Sequence, residues 1–162
     1  MNTIYITGIG QDSHKISKDK NKPLIIGGVE FYEDFCLSGN SDSDVVLHAI
    51  TNAISSITTV NILGKVADNM CKAGITDSRE YLKEALKYKD ESIKILHVAI
   101  SIEGLIPKFS PKIDEMRNTI SKLLEINSSS VGITATTGDV LTEFGKGNGR
   151  FATVIISCSK EI

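Results

Sequence analysis

Ile93 to Glu103 alternates without a break, and this run constrains the fold more than any other segment. Leu96, Val98, Ile100 and Ile102 point one way; Ile95, His97, Ala99, Ser101 and Glu103 point the other. One face is fully apolar and the other half polar. The strand therefore belongs to a sheet with core on one side and something wetter on the other. On this pattern His97 reads as a sheet-face histidine, suited to a subunit contact, rather than as a metal ligand.

The remaining segments supply both the other strands and the cover. Thr3–Gly8, one or two runs around Gly27-Gly28 within Pro23–Glu33, Val131–Thr136 and the β-branched Phe151–Cys158 read as strands. Asp44 to about Thr58 carries Val46, Ala49, Ile50, Ala53, Ile54 and Ile57 at helical spacing, with His48 and Asn52 beside that face. Asp77-Ser78-Arg79-Glu80 has the form of a capping box and starts a helix to about Tyr88. Ile113–Glu125 is a helix with Met116, Ile120, Leu123 and Leu124 inward, and Lys15–Lys22 reads as a solvated loop. No repeat or inter-domain linker interrupts the chain. The expectation is one α/β domain over 1–162, of the two-layer α+β kind: a mixed sheet covered on one face by helices.

Composition narrows the function. A net charge of −2 gives no basic field for nucleic acid. No apolar run is long enough to span a bilayer, so neither nucleic acid nor membrane is expected as a partner. Cys36, Cys71 and Cys158 are odd in number and lack C-x-x-C spacing. They read as free thiols of a reducing compartment. Met1–Thr7 lacks the features of a signal peptide, so a cytoplasmic protein is expected.

Two of the chain's three histidines sit in short acidic runs, Gly10-Gln11-Asp12-Ser13-His14 and Ser41-Asp42-Ser43-Asp44-Val45-Val46-Leu47-His48. In an extended segment Asp12 and His14 share a side. His48 falls one turn after Asp44 on a helix that Asp42 or Ser43 would cap. One carboxylate and two imidazoles form a three-donor set for a catalytic zinc with one position open. Asp-x-His also arises often by chance, and on spacing alone the better reading is that Asp12 caps a turn and His48 is a satisfied, partly buried histidine.

These runs resemble the two metal-ligand motifs of the 2-C-methyl-D-erythritol 2,4-cyclodiphosphate synthase family. The first is matched by Gly10, Asp12 and His14, the second by Ser41, Asp42, Asp44, Val45 and His48. Pro23–Val29, Asp77-Ser78-Arg79, Pro107-Lys108, Ala135-Thr136-Thr137 and Gly145-x-Gly147-x-Gly149 follow in the family's order, over essentially the whole chain.

The resemblance implies a reaction and its residues. The substrate would be 4-diphosphocytidyl-2-C-methyl-D-erythritol 2-phosphate, cyclised by intramolecular phosphoryl transfer with release of CMP, a phosphorus–oxygen lyase reaction. Asp12, His14 and His48 would hold zinc or another divalent transition metal, Asp12 and His14 also meeting substrate. Asn40, Ser41 and Thr137 would be catalytic, the first two orienting the attacking phosphate. Pro107, Lys108, Ala135, Thr136 and Thr137 would hold the cytidine diphosphate, and Gly64, Asp68 and Lys146 would complete the contacts. Asp139, in place of the family's Glu, would hold a second cation, Mg²⁺ or Mn²⁺. The family is a homotrimer with sites between neighbouring subunits, found in the cytoplasm or an organelle stroma. The half-polar face at His97, Ala99, Ser101 and Glu103 would line its interior.

Several positions depart from the family's pattern. Asn40 stands for a His, Asn52 and Ile62 for acidic residues near the sugar alcohol, and Lys146 for an Arg. Ile62 and Asn52 favour the alternative of another metal-dependent phosphate-ester enzyme on the same scaffold. A non-catalytic isoprenoid-diphosphate or nucleotide binder is a further one. On spacing alone, Lys108 is a surface lysine and the threonines are strand filler.

Overall fold

Strand β1, Thr3–Ser17, organises the molecule. The computed structural model describes residues 2–162. In chain order follow β2 (Leu24–Ile26), β3 (Val29–Phe31), β4 (Cys36–Leu37), α1 (Val45–Thr58), α2 (Lys65–Lys72), α3 (Ser78–Leu86), β5 (Ile93–Glu103), α4 (Ile113–Leu124), β6 (Val131–Thr136) and β7 (Gly149–Glu161). Five strands form one sheet in the order β4-β1-β7-β5-β6. Only β5 and β6 run parallel, so the sheet is mixed. β2 and β3 form a separate hairpin. The left-handed pair Gly27 and Gly28 (φ 63 and 73) makes its two-residue turn.

Helix α1 lies across β1 and β7, and α4 packs on β6. The seat for α1 is cut into the sequence of β1. Gly8 and Gly10 alternate onto the helix side, where an added methyl group would collide with the backbone of Ala49 and Ala53. The next two residues on that side are Asp12 and His14. The same alternation thus lets the helix in and then delivers two polar side chains beside it.

α1 is more deeply set than an amphipathic stripe requires. Val45, Leu47, Thr51 and Ser55 are buried along with the expected face, because β1, β7 and α3 enclose it. Each large aliphatic side chain buried here, Ile50 among them, contributes about 1.5–3 kcal/mol. The cap is Asp44, neither Asp42 nor Ser43. Its carboxylate accepts from Val46 N and Leu47 N and also from Gly27 N and Gly28 N, tying the hairpin turn to the helix start.

Four further expectations are corrected. β1 continues through Ser17 to pair with β4, and Lys22 is anchored by hydrogen bonds to Gly39 O and Ser43 Oγ, so Lys15–Lys22 is not simply a solvated loop. Leu96 is an extra residue between Ile95 and His97: a β-bulge resets the phase. Ile93 therefore faces the core with Val98, Ile100 and Ile102, while Leu96 is exposed beside His97. The capping box is half formed: Asp77 caps Arg79 N, but Glu80 pairs with Lys83. Helix α2 falls in a stretch with no expected element. Gly64 at its N-cap makes no side-chain hydrogen bond, so no capping residue announces it.

Among the described residues no helix covers the far face of the sheet. Tyr5 (78% exposed), Ile9 (60%) and Ile155 (42%) lie open there. His97, Ala99 and Ser101 on the same face are also exposed, as their alternation implies.

Candidate metal centre

Three side chains from two elements converge at the end of the α1 seat. Asp12 Oδ2 is 2.7 Å from His14 Nε2 and 3.1 Å from His48 Nδ1, and the two ring nitrogens are 3.1 Å apart. A tetrahedral zinc with bonds of about 2.0–2.1 Å separates its ligand atoms by about 3.3 Å, so one ion fits between these donors with little adjustment. Asp12, His14 and His48 are the cluster of metal-type donors among the described residues.

The remaining ring nitrogens are also committed. His14 Nδ1 donates to the Ser38 carbonyl at 2.7 Å, leaving Nε2 with its lone pair toward the cluster. His48 Nε2 meets Ser78 Oγ at 2.8 Å, and the Ser78 hydroxyl donates in turn to Asp42 Oδ1. That relay leaves the His48 Nδ1 lone pair free. Metal-ligating histidines are held in this way, by a partner on the far nitrogen. The donor set and its supports fit a divalent transition metal.

Charge follows the same geometry. Burial works to raise the Asp12 carboxyl, but hydrogen bonds and charge from His14 and His48 outweigh it and hold the group below its usual range. Burial works to lower the His14 imidazole, and Asp12 outweighs it, so His14 keeps a proton above the ordinary histidine value.

Asn40, Ser41, Leu63, Gly64, Ala67, Asp68, Cys71 and Tyr81 complete a cavity of about 210 Å³ over the cluster. The expected residues Asn40, Ser41, Gly64 and Asp68 are thus gathered with the metal donors. Ile62 is not: it is fully buried in the core, and its neighbours Leu63 and Gly64 face the cavity instead. Asn52 is also turned away, donating to Gln11 O. Ser78 is a site residue that sequence reasoning does not single out; its one signal is the Asp77-Ser78-Arg79 motif, whose local pattern points to capping.

Pro107, Lys108, Ala135, Thr136 and Thr137 line a second cavity, also of about 210 Å³, with Gly104, Leu105, Phe109 and Ser110. It shares no residue with the first. Asp139 lies just beyond it, in a left-handed conformation (φ 48) within the turn Gly138–Val140. Lys146 lines neither of these cavities and is paired with Glu143 at 2.8 Å. In one chain the two halves of the expected site stand apart.

A mixed sheet with helices on one face, a helix seated on glycines and a three-donor cluster define the class: a single α+β domain with a candidate metal centre. The YgbB family model matches residues 5–159, and the chain belongs to that family. It is 52% identical over 148 residues to the 2-C-methyl-D-erythritol 2,4-cyclodiphosphate synthase of Chlamydia caviae, covering 90% of this chain and 84% of that protein. The protein of that name from Chlamydia trachomatis serovar L2b is 47% identical over the same share of this chain and 83% of its own length. Among solved structures, the bifunctional IspDF of Campylobacter jejuni superposes with a TM-score of 0.88 at 25% identity. It matches 99% of this chain, which spans 43% of that longer protein. IspF of Plasmodium falciparum, solved as a CDP complex, gives 0.81 at 24% identity over 98% of this chain and 97% of its own, a likeness of fold. Among the described residues no helix is long and apolar enough to cross a membrane.

Proposed function

We propose that this chain is a 2-C-methyl-D-erythritol 2,4-cyclodiphosphate synthase, a phosphorus–oxygen lyase acting on 4-diphosphocytidyl-2-C-methyl-D-erythritol 2-phosphate. The observation that carries the reading is the convergence of Asp12, His14 and His48, the two histidines each held by a partner on the far nitrogen, in a chain about half identical to proteins of that name. An oxygen of the 2-phosphate attacks the β-phosphorus. The bond from that phosphorus to the bridging oxygen breaks, and CMP leaves with the electron pair. Bond making and breaking lie within one substrate, so the protein's work is positioning and charge neutralisation.

Asp12, His14 and His48 would hold a zinc ion, which supplies Lewis-acid polarisation of a phosphate oxygen. Asn40 and Ser41, on the rim of that cavity, offer an amide and a hydroxyl to orient the attacking phosphate. Gly64 and Asp68 line the same cavity and would complete the substrate contacts. Lys108 offers a mobile point charge to the diphosphate, Thr136 and Thr137 their hydroxyls, and Pro107 and Ala135 the apolar wall for the base. Asp139 would add a carboxylate for a second cation, Mg²⁺ or Mn²⁺, on the diphosphate. Lys146, paired here with Glu143, would complete the substrate contacts.

The assembly is a homotrimer in which the metal half of one chain faces the nucleotide half of the next. Two observations support this. The cavities do not meet within one chain, and the sheet face with Tyr5, Ile9 and Ile155 lacks cover. Light scattering should give about three times 17.5 kDa; a stable, active monomer would overturn the shared site. The reaction itself is tested by phosphorus NMR with the cytidyl substrate and Mg²⁺. Cyclic diphosphate and CMP should appear together. CMP with an open-chain phosphate product would make the protein a hydrolase instead.

A further inference from the structure

Arg150 is fully buried, yet its Nε and Nη2 have no hydrogen-bond partner. Only Nη1 is used, donating to the Gly149 carbonyl. The guanidinium stacks on Phe35, 5.2 Å from the ring centroid. Burial pulls its pKa down to about 10, so it remains charged at neutral pH. Glu33 is the acid whose charge bears on it, and no hydrogen bond joins them. An apolar side chain of similar size would fill this space at lower cost.

The location gives the charge a use. On β7, Arg150 is the direct partner of His14 on β1, so their side chains share the helix side of the sheet. On its other flank it packs against Gly104: a methyl group there would strike the arginine's Cδ and Nε. Gly104 is itself part of the wall of the cavity with Lys108, Thr136 and Thr137. One residue therefore separates an unneutralised cation from that cavity.

We propose that Arg150 is a positioning residue, which packs against Gly104 in the wall of the Lys108–Thr136–Thr137 cavity and there presents a buried positive charge for the diphosphate of a cytidine nucleotide. A charge in this position is shielded from salt and needs no reorganisation when an anion arrives. It acts on the phosphates and not on the uncharged base and ribose. The inference rests on the nucleotide reading of that cavity.

The test compares CDP with cytidine by calorimetry on wild-type protein and on Arg150→Met, with Arg150→Lys and Arg150→Gln alongside. Arg150→Met should unfold at an equal or higher temperature, since it removes an unpaired buried charge. It should bind CDP about tenfold more weakly, the scale of one unit charge acting through a partly shielded interior. Cytidine binding should not change, and Arg150→Lys should recover most of the CDP affinity. Equal weakening of CDP and cytidine overturns the proposal, since that marks a deformed cavity. A folded Arg150→Gln with wild-type CDP affinity overturns it whatever Arg150→Met does. Wild-type protein that binds neither ligand overturns the nucleotide reading itself.

Discussion

Ser78 Oγ stands 2.8 Å from His48 Nε2 and donates its own proton to Asp42, so a hydroxyl on α3 decides which nitrogen of a histidine on α1 faces the cluster. Losing such an outer partner typically costs about 10–100-fold in metal affinity. Ser78→Ala should show that loss in a zinc competition titration against a chelator. Because Asp77 still caps α3 in the variant, the helix should persist by circular dichroism. Wild-type zinc affinity in Ser78→Ala would remove the relay from the account.

Gly10→Ala tests the helix seat. The added methyl meets backbone atoms of Ala49, Asn52 and Ala53, which cannot rotate away. The helix must shift, at a cost of about 1–3 kcal/mol in urea unfolding. His48 moves with it, so zinc affinity should fall together with stability. A destabilised variant that still binds zinc like the wild type would separate the seat from the site.

The triad sets opposite pH trends with and without metal. In metal-free protein the ionised Asp12 and protonated His14 stabilise each other. His14 is raised above 6.5, so its contribution is full below 6.5 and is lost as pH rises through its folded value. Asp12 is lowered below 3.8, so its contribution holds above 3.8 and is lost as pH falls through its folded value. Metal needs neutral His14 and must displace that proton, so metal affinity climbs with pH over the same upper range. Thermal unfolding checks this with His14→Gln as the reference. Without metal the wild-type advantage should be larger at pH 6 than at pH 8.5, and with zinc the order should reverse. An advantage independent of pH in both states would contradict the pairing.

Asp139 is exposed and separate from the triad, so its substitution should spare zinc content. Asp139→Asn should slow turnover at limiting Mg²⁺ by about two to three orders of magnitude, because an amide is a poor ligand for a hard cation. Asp139→Glu should be tolerated. Normal turnover of Asp139→Asn at limiting Mg²⁺ would dismiss the second cation site, and loss of zinc from it would mean the two sites were wrongly divided.

Strand and helix periods placed Asp12, His14 and His48 on facing sides, but spacing left a structural role open; the family resemblance of the two runs made the triad legible. β6 was legible to the residue, since nothing competes with its pattern. Leu96 was misread because a bulge leaves no mark on an alternating apolar run. Asp44 was passed over as the cap because what selects it is the distant Gly27-Gly28 turn, while Asp42 is drawn off to Ser78. Ile62 was assigned to the sugar pocket by alignment, where the core took it and left Leu63 and Gly64 at the surface. Contacts distant in sequence made these choices, and local pattern does not carry them.

X-ray absorption at the zinc edge, on zinc-loaded protein, tests the central claim most directly. The account predicts four-coordinate zinc with two imidazole nitrogens and oxygen donors at about 2.0–2.1 Å. His48→Ala should lose the ion while keeping its fold. Sulfur in the zinc shell, with Cys71 in the same cavity, or full zinc occupancy in His48→Ala, would contradict the Asp12–His14–His48 centre.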